Sequence, residues 1–244
     1  MEINKKEFDR YTSEFDMNDP KIDLKYYHTY RVVEYCTKLA KSLNLDEHDT
    51  FLAETTGLLH DIARFPQARD YNTFNDFISF DHGKKAVEIL LENNYIYEYV
   101  DNEEDKNLVL KAVELHNDKY IQEELSEREE LFCKIIRDAD KLDIMDKQGM
   151  KLEDNSTHFQ EDAFNELKNK TLITYTYCNN HATNILKTLA YIFDVNFKES
   201  FKIMVEQNMI EKKLKLLKEH VVKEEYEIVE KIINDYVEER LNEE

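Results

Sequence analysis

Residues 57–65 read Gly57-Leu58-Leu59-His60-Asp61-Ile62-Ala63-Arg64-Phe65. Apolar residues recur at three- and four-residue spacing from here back to Phe51, the period of a helix with one buried face. A histidine and an aspartate stand side by side in that apolar run, where ionisable groups are costly without partners. The same period continues outward over residues 24–43, 86–91, 108–115 and 131–145, and then over 161–168, 180–192, 197–217 and 224–241. Only three glycines and two prolines interrupt 244 residues rich in Lys, Glu, Leu, Ile and Asn. The predicted fold class is therefore all-α, a helical bundle. Asp46 and Asp81 are the expected N-caps of the helices that follow them. Residues 64–80 carry Pro66, Asn72, Asn75 and Ser79 and read as a long loop, the kind that often carries function.

With no internal repeat or low-complexity linker, the expected organisation is a helical domain over 1–150 and a helical C-terminal extension over 151–244 packed on it, or one continuous domain. The last segment carries Val222, Tyr226, Val229, Ile232, Ile233 and Tyr236 on one stripe, as expected of a closing or dimerising helix, which leaves a homodimer open.

The formal charge of -20 disfavours a large nucleic-acid footprint, which depends on Lys and Arg neutralising phosphates. A small anionic substrate remains compatible where a metal supplies local positive charge. Apolar runs are too short to span a bilayer, so no membrane partner is expected. Residues 1–10 alternate charge with single apolar residues and lack the apolar core of a secretory signal, which makes the cytoplasm the expected location. Cys36, Cys133 and Cys178, odd in number and widely spaced, read as ordinary reduced residues.

Four of the eight histidines, His28, His60, His82 and His116, fall one per helix on an apolar stripe. The segment Asp138-Ala139-Asp140-Lys141-Leu142-Asp143 adds hard oxygen ligands on a later helix. Asp138 and Asp143 lie nearer the stripe of Leu131, Ile135, Ala139 and Leu142 than Asp140 does, so periodicity leaves all three open. A mixed imidazole and carboxylate set suits Fe, Mn, Co, Ni or Zn better than Ca. His181 lies on an apolar stripe with Ile185 and Leu189 and reads as a core residue.

Over about residues 20–150 the chain resembles the HD-domain superfamily of metal-dependent phosphohydrolases. The resemblance rests on His28, the His60-Asp61 doublet in its characteristic wording and the closing Asp138-to-Asp143 segment, with His82 and His116 in the interval that marks binuclear members. It implies a helical bundle of the HD-domain type and two divalent transition-metal ions as cofactors. It selects Asp140 among the three aspartates. Asp61 would bridge the ions, with His28, His60 and Asp140 on one and His82 and His116 on the other. The implied reaction is hydrolysis of a small phosphorylated substrate, a phosphomonoester, phosphodiester or nucleotide, by a metal-activated water. Arg64 and Lys84 are the expected phosphate contacts. Two other readings carry the same ligand pattern: a non-catalytic, nucleotide-sensing module and a di-iron oxygenase.

Overall fold

In the computed structural model, residues 1–121, 124–147, 154, 156–174, 176, 178 and 180–243 are described. They form helices joined by turns, with no strand among the described residues, as the all-α expectation requires. The chain divides into two compact units, Met1–Asp140 and Lys141–Glu244. Met150 and Lys151, on either side of the expected boundary, lie outside the described residues.

In the first unit the helices are α1 (Lys5–Thr12), α2 (Pro20–Ser42), α3 (Glu47–Leu59), α4 (Arg64–Tyr71), α5 (His82–Leu91), α6 (Glu103–Leu115) and α7 (Glu127–Asp146), the last reaching the boundary of the unit at Asp140. Their starts follow from local chemistry. Asp19 accepts from the Lys21 amide at 2.8 Å and Pro20 opens α2, where its missing N–H costs nothing. Asp46 accepts from the Asp49 amide at 2.8 Å, and Asp81 from the amides of Gly83 and Lys84 at 3.0 and 3.2 Å.

The buried face of α2 runs through Ile22, His28, Val32, Cys36 and Leu39, whereas Leu24 is exposed. This face lies against α3, and Gly57 sets the approach: a Cβ there would stand 2.9 Å from Cys36 Sγ and 3.3 Å from Val33 Cα. Helix α1 buries Phe8 against the edges of Tyr30 and Phe65, both at 5.9 Å between ring centroids. The Tyr11 hydroxyl donates to Ile62 O at 3.2 Å and so ties down the turn between α3 and α4.

The predicted loop over 64–80 is corrected in its first half, which forms α4. Pro66 falls in the first turn, where no amide needs an intrahelical partner, and Asn72 ends the helix in the left-handed region at φ 53°. Residues 72–81 remain irregular apart from a 3-10 turn, Asp76–Ile78.

The second unit contains α8 (Glu161–Lys168), α9 (His181–Ala190), α10 (Lys198–Glu206), α11 (Met209–Lys218) and α12 (Lys223–Asn242). One helix is expected over 197–217, but Asn208 at φ 53° breaks it between α10 and α11. Along α12 the buried stripe is Tyr226, Val229, Ile233 and Val237. His181 is buried at the start of α9, its ring 4.6 Å from that of His220. No helix among the described residues is long and apolar enough to cross a membrane.

Gly57→Ala is expected to destabilise the chain by about 1–3 kcal/mol, because the added methyl overpacks the α2–α3 contact. Thermal unfolding followed by circular dichroism should show a lower Tm, partly restored in the Gly57→Ala/Cys36→Ala double variant, where the nearest obstructing atom is gone. A single variant as stable as wild type would refute the tight approach.

Candidate metal centre

Four imidazoles and two carboxylates meet inside the first unit. His28 comes from the middle of α2, His60 and Asp61 from the turn that ends α3, His82 from the first position of α5, His116 from the end of α6 and Asp140 from α7. His28, His60, Asp61, His82 and His116 are buried, while the Asp140 side chain is 22% exposed. Adjacent residues diverge around a helix, so the His60-Asp61 doublet can serve one cluster only because α3 has ended there.

Asp61 is the common partner. Its Oδ2 lies 3.3 Å from His28 Nε2 and 3.4 Å from His60 Nε2. Its Oδ1 lies 3.6 Å from His82 Nε2 and 3.9 Å from His116 Nε2. Asp140 Oδ1 stands 3.1 Å from His28 Nε2 and 4.0 Å from His60 Nε2. Two triads able to hold an ion therefore share one carboxylate: His28, His60 and Asp61, and Asp61, His82 and His116. Asp138 and Asp143 are also buried on α7, and Asp140 stands 3.1 Å from His28. Periodicity leaves the three open because Ile135, Ile136, Arg137, Asp138 and Ala139 are all buried, so no single stripe of α7 marks the inside.

The tautomers are set from behind. Nδ1–H of His60 donates to Gly57 O at 2.8 Å, that of His116 to Val113 O at 2.7 Å, and that of His82 to Asp76 Oδ2 at 2.5 Å. Each ring then turns an Nε2 lone pair into the cluster. His82 and His116 bring these nitrogens within 3.0 Å of each other, and His60 Nε2 is buried with no hydrogen-bond partner. Ligands at about 2.1 Å from an ion are separated by about 3.0–3.4 Å along an octahedral or tetrahedral edge, so these donors fit a metal. Gly83 permits the His82–His116 approach, since a Cβ there would lie 2.5 Å from Glu114 O.

The surrounding charges agree. Burial opposes ionisation of Asp61, but the Lys25 ammonium, with His60 and His28 beside it, prevails and holds its carboxyl well below the usual range. Partial burial also opposes ionisation of Asp140, but His28 and His60 hold its carboxyl low. Burial lowers His82, with Arg64 adding to it, and lowers His116 further, with His82 and His60 adding to it. Both rings are thereby kept in the neutral, lone-pair form.

The two expected phosphate contacts are placed differently. Arg64 Nε lies 3.4 Å from Asp61 Oδ1, and its NH1 donates to Gln67 Oε1 at 2.6 Å, to Phe74 O at 2.8 Å and to Asp76 Oδ1 at 2.8 Å. Lys84 is not drawn into the cluster: its side chain is 67% exposed and its ammonium stands 3.7 Å from Asp81. Instead Lys25 Nζ contacts Asp61 Oδ2 at 2.6 Å. Sequence reasoning missed Lys25, although it precedes His28 by three residues and so shares its helix face. It also missed Asp76, which sits in the irregular segment where no period points inward.

Residues 26–145, a span that includes all six cluster residues, match the family model of the HD domain. No curated protein and no solved structure matches the chain.

The metal-free chain should lose stability as pH falls below 6.5, the ordinary histidine value. There the unfolded chain takes up protons that His82 and His116 refuse in the fold, so the unfolded state binds more protons and stability rises with pH across this window. The slope reaches about 1.4 kcal/mol per pH unit for each such ring. Chemical denaturation in EDTA between pH 7.5 and 5.5 measures it, and His116→Asn should flatten the dependence. An unchanged slope in that variant would exclude His116 as a source.

Proposed function

We propose, from the premise that residues 26–145 of this chain belong to the HD-domain family, that the chain is a phosphohydrolase acting on a small phosphomonoester, phosphodiester or nucleotide with a pair of divalent transition-metal ions. The observation that carries this reading is the sharing of Asp61, one of whose oxygens faces His28 and His60 while the other faces His82 and His116. His28, His60, Asp61 and Asp140 would hold one ion, and Asp61, His82 and His116 the other, drawn from Fe, Mn, Co, Ni or Zn. Bound there, the ions supply Lewis acidity that lowers the pKa of water and neutralises phosphate oxygens.

The chain's own residues do the positioning. Asp61 ties the two halves together. Asp76 fixes the His82 tautomer and also takes Arg64 NH1 and the Gln67 amide. With NH1 given to three acceptors, Arg64 orients Asp61 and Asp76 and is poorly placed to fork a phosphate. The net charge of -20 disfavours a nucleic-acid partner and suits a small phosphorylated one where the ions supply local positive charge.

The test is metal analysis by plasma mass spectrometry of the wild type and Asp61→Ala, followed by a screen of phosphoesters and nucleotides with the ion found. About two ions per wild-type chain, both lost in Asp61→Ala together with at least about 100-fold of the turnover, is the expected result. A chain that takes up no ion after reconstitution, or hydrolysis that survives Asp61→Ala, would sink the proposal. Oxygen consumption by the iron-loaded chain without phosphate release would point to an oxygenase.

A further inference from the structure

The cluster carboxylates Asp61 and Asp140, with Asp76 behind His82, stand in a chain of net charge -20, so a side-chain cation beside the ions would favour a bound phosphate. Two cations stand at the Asp61 carboxylate, Lys25 at Oδ2 and Arg64 at Oδ1. Both lie over the same ring, Phe74, with Lys25 Nζ 5.4 Å and the Arg64 guanidinium carbon 5.6 Å from its centroid. They are held in opposite ways. Arg64 NH1 is bound to Gln67, Phe74 O and Asp76. Lys25 reaches Asp61 at the end of a flexible stem, its side chain is 15% exposed, and its ammonium has three protons to give.

Resting on the phosphohydrolase reading above, we propose that Lys25 is the residue that contacts the substrate phosphate, in the place sequence spacing gives to Lys84. The ammonium stays beside Asp61, steered by the Phe74 ring, and donates to a phosphate oxygen while the carboxylate remains available to the ions. Lys25 then acts on substrate affinity and has no part in holding metal.

The test is calorimetric titration of inorganic phosphate into the Mn²⁺-loaded chain as wild type, Lys25→Met, Lys25→Arg and Lys21→Met, with metal content measured in parallel. Lys21 lies one turn earlier on α2, half-buried and bonded to Asn72 at 2.8 Å, and controls for the loss of one positive charge. Lys25→Met should keep its manganese and bind phosphate at least about tenfold more weakly. Lys25→Arg should stay within about threefold of wild type, and Lys21→Met should match it. Phosphate binding by Lys25→Met equal to wild type would overturn the assignment while leaving the phosphohydrolase reading intact. Loss of manganese in Lys25→Met would also overturn it, making Lys25 a positioning group for Asp61. A metal-loaded wild type that binds no phosphate would bring down the phosphohydrolase reading and the role of Lys25 together.

Discussion

A buried carboxylate with a different set of neighbours on each oxygen organises the first unit. In the metal-free chain the Lys25 ammonium and the imidazoles around Asp61 favour its ionised form in an apolar bundle. Those neighbours come from α2, α5 and α6, so these helices are compelled to converge on the turn where α3 ends. Tyr11 adds a hydrogen bond to the adjoining carbonyl of Ile62, which brings α1 to the same turn. Packing and electrostatics thus make one demand: the helices must approach closely enough for short contacts between ring nitrogens and carboxylate oxygens. Gly57 and Gly83 make that approach sterically feasible by withholding a Cβ where a neighbouring helix arrives.

Much of this could be read from the order of residues, because helix period, capping and the scarcity of Gly and Pro are local signals. His28, His60, His82 and His116 stand out for a related reason, as polar rings on faces otherwise buried. What escaped reading depends on tertiary context. Helix α4 is hidden by Pro66 and two asparagines, which look like loop chemistry until Pro66 proves to sit in the first turn and Asn72 at the end. The rank of Asp140 is lost because α7 is enclosed on most sides. Lys25 and Asp76 reach the cluster by side-chain length and loop path, which no periodicity encodes. Lys84, near His82 in sequence, has its side chain in solvent beside Asp81. The doublet, with its family wording, lies at the turn where the buried histidines and Asp61 come together.

The second unit illustrates how a single left-handed residue changes a reading based on period alone. The apolar spacing across 197–217 is nearly continuous, yet Asn208 turns the chain and lets α11 pack on both α10 and α9. An asparagine tolerates that conformation better than most residues because its short amide can bond locally. Arg240 closes this unit by donating to the carbonyls of Val195 and Asn196 at 2.9 and 2.8 Å, beyond the last turn of α9.

The three ring anchors differ in kind, and this has an evolutionary consequence. His60 and His116 lean on main-chain carbonyls, which no codon change can delete. His82 leans on a side chain, Asp76, carried by an irregular segment that tolerates replacement far better than a packed helix does. His60 and His116 are therefore insulated against drift, while His82 can be retuned by a single base change that touches none of the six inward-facing residues. Divergence within such a lineage has an easy path: keep the His28 and His60 side, and let the segment around Asp76 vary until His82 serves another purpose.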